Sequence, residues 1–359
     1  MNHAGPSILI RCDGSSEIGL GHVSRCLVLA DEFRTRHDCA VTFAMRRDAL
    51  GVRLCEERGY RVVRGLTPNL PDQGVWLRDL CQAIHAEVVV LDVRDELPRA
   101  IVQRLRDEGR LIVTIDDPTE RRLDADLAFY PPIPQLQSID WLGFSGKRYA
   151  GWEWVVTRQE FSHPSRRPVS SHRPVILVTM GGSDPAGMTA KVVEGINRVE
   201  RECEMLIVLG PGFHDDHALN VQLERASHSY TVKRHVTKMW EVMSQADLSV
   251  ASFGGTAYEL AAMQVPSVLI GLTKDHVTSA SAFVKEGMAI CLGQHEQVTP
   301  QMIAEAVSSL MADPIRLEQM RARAKHLMKD GGSQRIVDTI VEEWKHRHDR
   351  CEELAAAHG

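Results

Sequence analysis

Short apolar runs of strand length alternate with helical spacing along almost the whole of this 359-residue chain, and the alternation breaks once. In the first half the runs fall at 7–11, 41–45, 61–63, 88–92, 111–116 and 127–130. Between them Val23, Cys26, Leu27, Ala30 and Phe33 recur at helical spacing, as do the apolar residues of 75–85 and 98–108. Strands that are apolar throughout must be covered on both faces, so the pattern predicts a parallel sheet with helices on each side. Residues 162–174, SHPSRRPVSSHRP, are polar, proline-rich and aperiodic, as an interdomain linker is. The alternation then resumes at 174–180, 205–209, 231–235, 248–253, 267–272 and 289–292. Two Rossmann-like, doubly wound α/β domains facing a cleft are expected: 1–161, then 175–335 after the linker, and last a helical tail over 336–359. The tail residues Glu342, Glu343, Lys345, Arg347, Asp349 and Arg350 read as a solvated helix face.

Charge and composition narrow the partners. A net charge of −6 without a basic stripe gives no electrostatic reason to expect nucleic acid, although a mononucleotide needs only a local anion site. The first seven residues carry no basic segment followed by an apolar stretch, and no apolar run approaches the length of a membrane span. Integral membrane association is therefore not expected. Eight cysteines lie scattered without a C-x-x-C pair, which predicts reduced thiols, a cytoplasmic location and neither a disulfide framework nor a zinc site. FHDDH at 213–217 has a spacing that fits no standard metal site and reads as a solvated loop. No metal and no cofactor are expected, and the chain should be a monomer or weak dimer.

In open parallel sheets ligands bind beyond the carboxyl ends of the strands, in loops that lead into helices. Three such loops carry candidate chemistry. In RCDGSSEIGLGHVSRCLVLAD, residues 11–31, Gly14, Gly19 and Gly21 let backbone approach a ligand, and a helix should open at about His22. An imidazole at that entrance can take a proton from water or a hydroxyl; Arg25, one turn on, faces the same pocket or an acidic partner, and Asp13, Arg25 and Asp92 are expected to shape the sugar pocket. Taken alone, a histidine at a helix start is more often a cap or a surface residue. In MGGSDPAGMT, Gly181 and Gly182 allow an unusual backbone, and amides and side chains of Gly181, Gly182, Ser183 and Asp184 are expected to hold the nucleotide's diphosphate, although Ser183 and Asp184 read also as caps of the next helix. In ASFGGTAYELAAMQVP, Gly254, Gly255 and Thr256 at a helix start suit a diphosphate, and Glu259 stands where a ribose could be held. GLTKDH then brings Lys274, Asp275 and His276 toward the same rim. Asp92, Asp116 and Asp117 close two strands at the first domain's ligand edge and read either as ligand groups or as caps.

The run RCDGSSEIGLGHVSRCLVLAD, with VVVLD, VTIDDPTERRLDADLAFY, VTMGGSDPAGMT and ADLSVASFGGTAYELAAMQVPSVL, resembles the UDP-sugar hydrolases of pseudaminic acid biosynthesis and the related spore-coat polysaccharide proteins. The resemblance covers about residues 7–290. It implies the GT-B fold, a nucleotide held mainly by the C-terminal domain, and kinship with the transferase that adds N-acetylglucosamine to the lipid-linked peptidoglycan precursor. It implies that His22 is the catalytic residue, that no metal is required, and that Gly254, Gly255 and Glu259 hold the nucleotide. The chain departs from the hydrolase pattern twice. Asp92-Val93-Arg94 stands where the family has Asp-His-Tyr, and Asp275-His276 where it has Asn-Gln. Arg94 can meet a carboxylate or phosphate that the usual sugar lacks. The expected activity is release of UDP and a free amino- or acetamido-sugar. An inverting glycosyltransferase is the first alternative, and a non-catalytic nucleotide-sugar-binding protein the second.

Overall fold

The computed structural model describes residues 4–14, 20–46, 49–65, 73–94, 97–161, 173–214, 216–328 and 331–358. The chain forms two compact units, the first comprising Met1–Pro131, Ile139–Val156 and Gly331–Gly359, and the second Pro132–Ser138 and Thr157–Asp330.

The first unit is a seven-stranded sheet of β1 (Ser7–Cys12), β2 (Ala40–Met45), β3 (Arg61–Arg64), β4 (Val88–Asp92), β5 (Leu111–Ile115), β6 (Leu127–Tyr130) and β7 (Lys147–Ala150). Its order is β3-β2-β1-β4-β5-β6-β7, with every neighbouring pair parallel. Four helices follow its strands: α1 (Gly21–His37), α2 (Ala49–Glu57), α3 (Gln73–Ala83) and α4 (Arg99–Asp107). Successive strand residues face opposite layers, so Ile8 and Ile10 pack with Val23, Leu27 and Phe33 of α1, while Leu9, Val89 and Leu91 pack with Leu77 of α3 and with Val102 and Leu105 of α4. Each such side chain withdrawn from water contributes about 2 kcal/mol. Chain order reverses between β1 and β4, where Cys12 lies opposite Asp92 in register.

The second unit repeats the plan with β8 (Val175–Thr179), β9 (Glu204–Leu209), β10 (Ser229–Arg234), β11 (Leu248–Ser252), β12 (Ser267–Gly271) and β13 (Ala289–Gln294). The order is β10-β9-β8-β11-β12-β13, again parallel, and the reversal falls between β8 and β11. Its helices are α5 (Met188–Ile196), α6 (Asp216–Glu224), α7 (Met239–Met243), α8 (Gly255–Ala262), α9 (Lys274–Lys285), α10 (Pro300–Ala312) and α11 (Pro314–Leu327).

Three features differ from the reading of the sequence. Strand β7, KRYA, was not expected, because an edge strand with mostly exposed residues carries no apolar run. The last helix, α12 (Gly332–His358), is not a separate tail: Ile336, Val337, Ile340 and Val341 are buried in the core of the first unit. Nor is its charged face wholly solvated, since Glu343 accepts from Lys147 Nζ at 2.7 Å and Arg347 pairs with the buried Asp126 at 2.7 Å. Asp338 further ties the helix to Arg36 and His37 of α1. The linker expected at 162–174 lies, up to residue 172, outside the described residues.

Candidate functional site

The reversal in the first unit places the ends of β1 and β4 side by side, and the loop after β1 feeds α1. Asp92, the last residue of β4, is 1% exposed and stands at the centre of a polar cluster. His22 Nδ1 lies 2.6 Å from Asp92 Oδ1. Arg25, one turn further along α1, donates through Nε to Asp92 Oδ2 at 2.8 Å and through Nη2 to Oδ1 at 2.6 Å. The Cys26 thiol donates to Oδ2 at 3.5 Å. Burial by itself would push the Asp92 carboxyl up, but the Arg25 guanidinium and the His22 bond outweigh it and hold the group well below the usual carboxylate range. Burial and the neighbouring Cys12 push the Cys26 thiol up, so it stays a donor. An ionised Asp92 accepts from Nδ1–H, so in the neutral imidazole it is Nε2 that carries the lone pair. No described residue bonds to that nitrogen. The group can therefore act as a base whose orientation is fixed by a carboxylate, the arrangement used wherever an imidazole must accept a proton from a hydroxyl.

The same cluster extends along the sheet edge. Asp116, just past β5, takes a left-handed backbone with φ of 52°, a conformation uncommon outside glycine and held here by its N–H bonding to Phe129 O at 2.8 Å. Its carboxylate receives Arg94 at 2.9 Å and Arg25 at 3.5 Å, so Arg94 joins the cluster by way of Asp116. Asp13 accepts from Arg11 Nη2 at 2.7 Å and from the Arg46 backbone N–H at 2.7 Å. Gly21 opens α1 and is exposed; Gly19 lies outside the described residues. Asp117 is a scaffold residue, paired with the buried Arg121 at 3.1 Å and bonded to Thr119. Arg46 and the bridging role of Asp116 escaped the sequence reading, because neither lies in the loop that carries His22.

The second unit presents backbone where the first presents side chains. Gly181 follows β8 with φ of 77°, so the turn needs a left-handed residue. Gly210 lies behind it, where a Cβ would come within 2.3 Å of the Gly181 and Gly182 carbonyl oxygens. Gly182 and Ser183 are exposed. Asp184 is buried, and its two oxygens accept from the Met188 and Thr189 N–H groups at 2.8 and 2.7 Å, so its carboxylate is committed to starting α5. After β11, Gly254, Gly255 and Thr256 open α8 without a side-chain cap, and a Cβ at either glycine would meet nothing within 4 Å. Uncapped first-turn amides beside open space suit an anion. Glu259, on the same helix, receives Arg158 Nη2 at 3.2 Å. Burial pushes the Glu259 carboxyl above the usual carboxylate range, and Arg158 opposes this. Asp275 and His276 begin α9, where Gln135 donates to Asp275 Oδ1 at 2.7 Å. Burial lowers the His276 imidazole, and its Nδ1 is buried without a described partner. Arg158 and Gln135 were not anticipated, since each lies more than 100 positions from its acid. Among the described residues no group of His, Cys, Asp and Glu is arranged to hold a metal ion, and no helix is long and apolar enough to cross a membrane.

Two parallel-sheet α/β units, each with its loops at the reversal of strand order, define the GT-B fold. Residues 175–336 match the model of the glycosyltransferase family 28 C-terminal domain. Among curated proteins the chain is similar to an uncharacterized protein of Methanocaldococcus jannaschii, 28% identical over 73% of this chain and 55% of that one. It is also similar to the spore coat polysaccharide biosynthesis protein SpsG of Bacillus subtilis, 24% identical over 86% of this chain and 90% of that one. A third relative is a UDP-N-acetylglucosamine–N-acetylmuramyl-(pentapeptide) pyrophosphoryl-undecaprenol N-acetylglucosamine transferase of Rhodopseudomonas palustris, 29% identical over 47% of each chain. The chain thus spans about half the length of the first and third of these relatives. Among solved structures, MurG of Acinetobacter baumannii superposes with a TM-score of 0.73 at 15% identity, covering 93% of this chain and 99% of that one. The fold expectation holds, and the relatives favour the glycosyl-transfer alternative over hydrolysis, the activity first expected.

Proposed function

We propose that the chain transfers a glycosyl group from a nucleotide sugar to a hydroxyl acceptor, with His22 as the base. The observation that carries this reading is the Asp92–His22 pair at 2.6 Å, which leaves Nε2 open on a fixed imidazole. In the reaction a bond forms between the acceptor oxygen and the anomeric carbon, while the bond from that carbon to the diphosphate oxygen breaks. The acceptor proton passes to His22 Nε2, and the ionised Asp92 stabilises the imidazolium. The electron pair leaves with the nucleoside diphosphate, whose growing charge meets the amides of the Gly181–Gly182–Ser183 and Gly254–Gly255–Thr256 loops. One displacement of this kind inverts the anomeric configuration.

The match to the N-acetylglucosamine transferases supports UDP as the nucleotide, with Glu259 accepting from its ribose. Asp13, Gly19, Gly21, Arg25, Asp92 and Arg94 shape the sugar and acceptor side, and Asp275 and His276 border the nucleotide. The likeness to SpsG supports a place in surface polysaccharide assembly, and the free thiols of Cys12, Cys26, Cys39, Cys55, Cys81, Cys203 and Cys291 support a cytosolic one. A second reading keeps the base and makes water the acceptor. It is favoured by the likeness of residues 11–31 and 251–266 to the hydrolases of pseudaminic acid biosynthesis.

Phosphorus NMR on the protein with UDP-linked acetamido-sugars decides between them. UDP released only when a hydroxyl acceptor is added, and not by His22→Ala, is the expected result. Release with a free reducing sugar and no acceptor would establish hydrolysis. Sugars that bind but stay intact with every acceptor tried would overturn both readings in favour of a binding protein.

A further inference from the structure

The loop that leaves β4 carries Arg94 on the same sheet edge as His22, and its backbone is pinned on either side of that arginine. Arg121, itself 2% exposed, donates through Nη2 to Val93 O at 3.0 Å and through Nη1 to Leu97 O at 3.3 Å. Its Nε is held in turn by the buried Asp117 at 3.1 Å. The Arg94 side chain is anchored as well. Its Nη2 donates to Asp116 Oδ2 at 2.9 Å, the oxygen that also receives Arg25 Nη1 at 3.5 Å. Arg25 Nη2 lies 3.4 Å from His22 Nδ1, so Asp116 and Arg25 join Arg94 to the base. Yet the Arg94 side chain is 42% exposed, against 21% for Arg25, and its Nε and Nη1 have no partner among the described residues. A guanidinium held through one nitrogen keeps donors enough for both oxygens of a carboxylate.

Charge points the same way. Along this edge the described residues set four arginines, Arg11, Arg25, Arg46 and Arg94, against three carboxylates, Asp13, Asp92 and Asp116. With His22 counted as the neutral base, one positive charge is left over. A carboxylate, with its single negative charge, matches that excess more closely than a phosphate monoester, which carries about 1.5 to 2 near neutral pH.

We propose that Arg94 is a specificity-determining residue and that the sugar bound at His22 is an acidic one, whose carboxylate pairs with the open donors of Arg94. The inference rests on the reading of the first unit as the place where a hydroxyl attacks a nucleotide sugar, and it names the class of sugar which that reading leaves open. A fixed, exposed guanidinium gains a charge-assisted pair from a uronic acid and nothing comparable from the hydroxymethyl group of a neutral hexose. The pairing is the same whether the carboxylate stands on the transferred sugar or on the acceptor.

Two binding series on the full chain separate these sources. For the transferred sugar, titration calorimetry compares UDP-glucuronic and UDP-galacturonic acid with UDP-glucose and UDP-galactose. For the acceptor, ligand-observed NMR at saturating UDP compares methyl glucuronide with methyl glucoside and glucose 6-phosphate. In one series the acid should bind about tenfold more tightly than its neutral counterpart, the gain expected of one charge-assisted pair. Arg94→Gln should remove that preference and leave affinity for UDP alone unchanged. Arg94→Lys, which keeps the charge but not the fork, should restore part of it. Wild-type protein that binds UDP yet prefers the acid in neither series would overturn the proposal and leave the transfer reading standing. A preference that survives Arg94→Gln would equally overturn it, as would tighter binding of glucose 6-phosphate than of the uronide. Loss of UDP binding itself in Arg94→Gln would overturn it too and make the arginine a diphosphate contact. If the wild-type protein binds neither UDP nor any of these sugars, the transfer reading fails and takes this inference with it.

Discussion

The two units share one plan, a parallel sheet whose order reverses beside its first strand, yet they furnish the reversal point in opposite ways. In the first, ionised side chains fill it: Asp92 accepts from His22, Arg25 and Cys26, and Asp116 links Arg25 to Arg94. In the second, Gly181, Gly182, Gly254 and Gly255 leave it to bare backbone, and Asp184 is turned inward as a cap. A side-chain cluster can move a proton, because its members titrate and hold one another in place. A backbone cradle cannot titrate, so it offers a constant field to an anion whatever the pH. On the proposed function the contrast divides proton transfer from anion holding, and it can be broken at either end.

The largest expected effect is in the first unit. His22→Ala should lower turnover by about a thousandfold while leaving UDP affinity within about twofold, the span typical of a lost general base; steady-state kinetics beside calorimetry would show it. Equal loss of both would mean that the imidazole binds rather than reacts. Asp92→Asn should cost about a hundredfold in turnover and about 3 kcal/mol of stability in urea unfolding, because it takes from the half-buried Arg25 its nearer carboxylate and leaves it Asp116 at 3.5 Å. The acid limb of the stability profile checks the sign. Asp92 is held below the ordinary carboxylate value of about 3.9, so its contribution is present above that pH and is lost as the pH falls toward the lowered value. Wild-type protein should thus lose stability below about pH 4 more steeply than the asparagine variant.

Two glycines test the second unit in complementary ways. At Gly254 the backbone is extended and a Cβ meets nothing, so Gly254→Val should leave the melting temperature unchanged but weaken UDP by about tenfold, by filling the space an anion would take. Gly181→Ala meets ordinary contact with Ser252 but keeps a left-handed backbone, and should destabilise by about 1 kcal/mol in denaturant titration. The smallest effect belongs to Cys26→Ala, which removes one weak donor from Asp92 and should slow turnover by about threefold, with Cys26→Ser restoring it.

Much of this was legible in the chain. The strands of both sheets, the loops at their carboxyl ends and the glycines with His22 follow from apolar period and from the backbone freedom that a helix entrance near a ligand requires. Strand β7 was not legible, because KRYA at an edge has neither face buried and so leaves no apolar signature. Nor was the place of α12: its Ile336, Val337, Ile340 and Val341 announce an amphipathic helix but not which core receives them.

By itself, then, the sequence determined the class of fold, the edge of each sheet on which chemistry could lie, and the residue types offered there. The tertiary structure alone decided which of those residues meet. His22 reaches Asp92 across 70 positions, Arg158 reaches Glu259 across 101, and Asp184 turns into its own helix instead of outward. Period, capping and turn preference act over a few residues, whereas such meetings depend on strand order and register, which are fixed only when whole sheets bury their faces together.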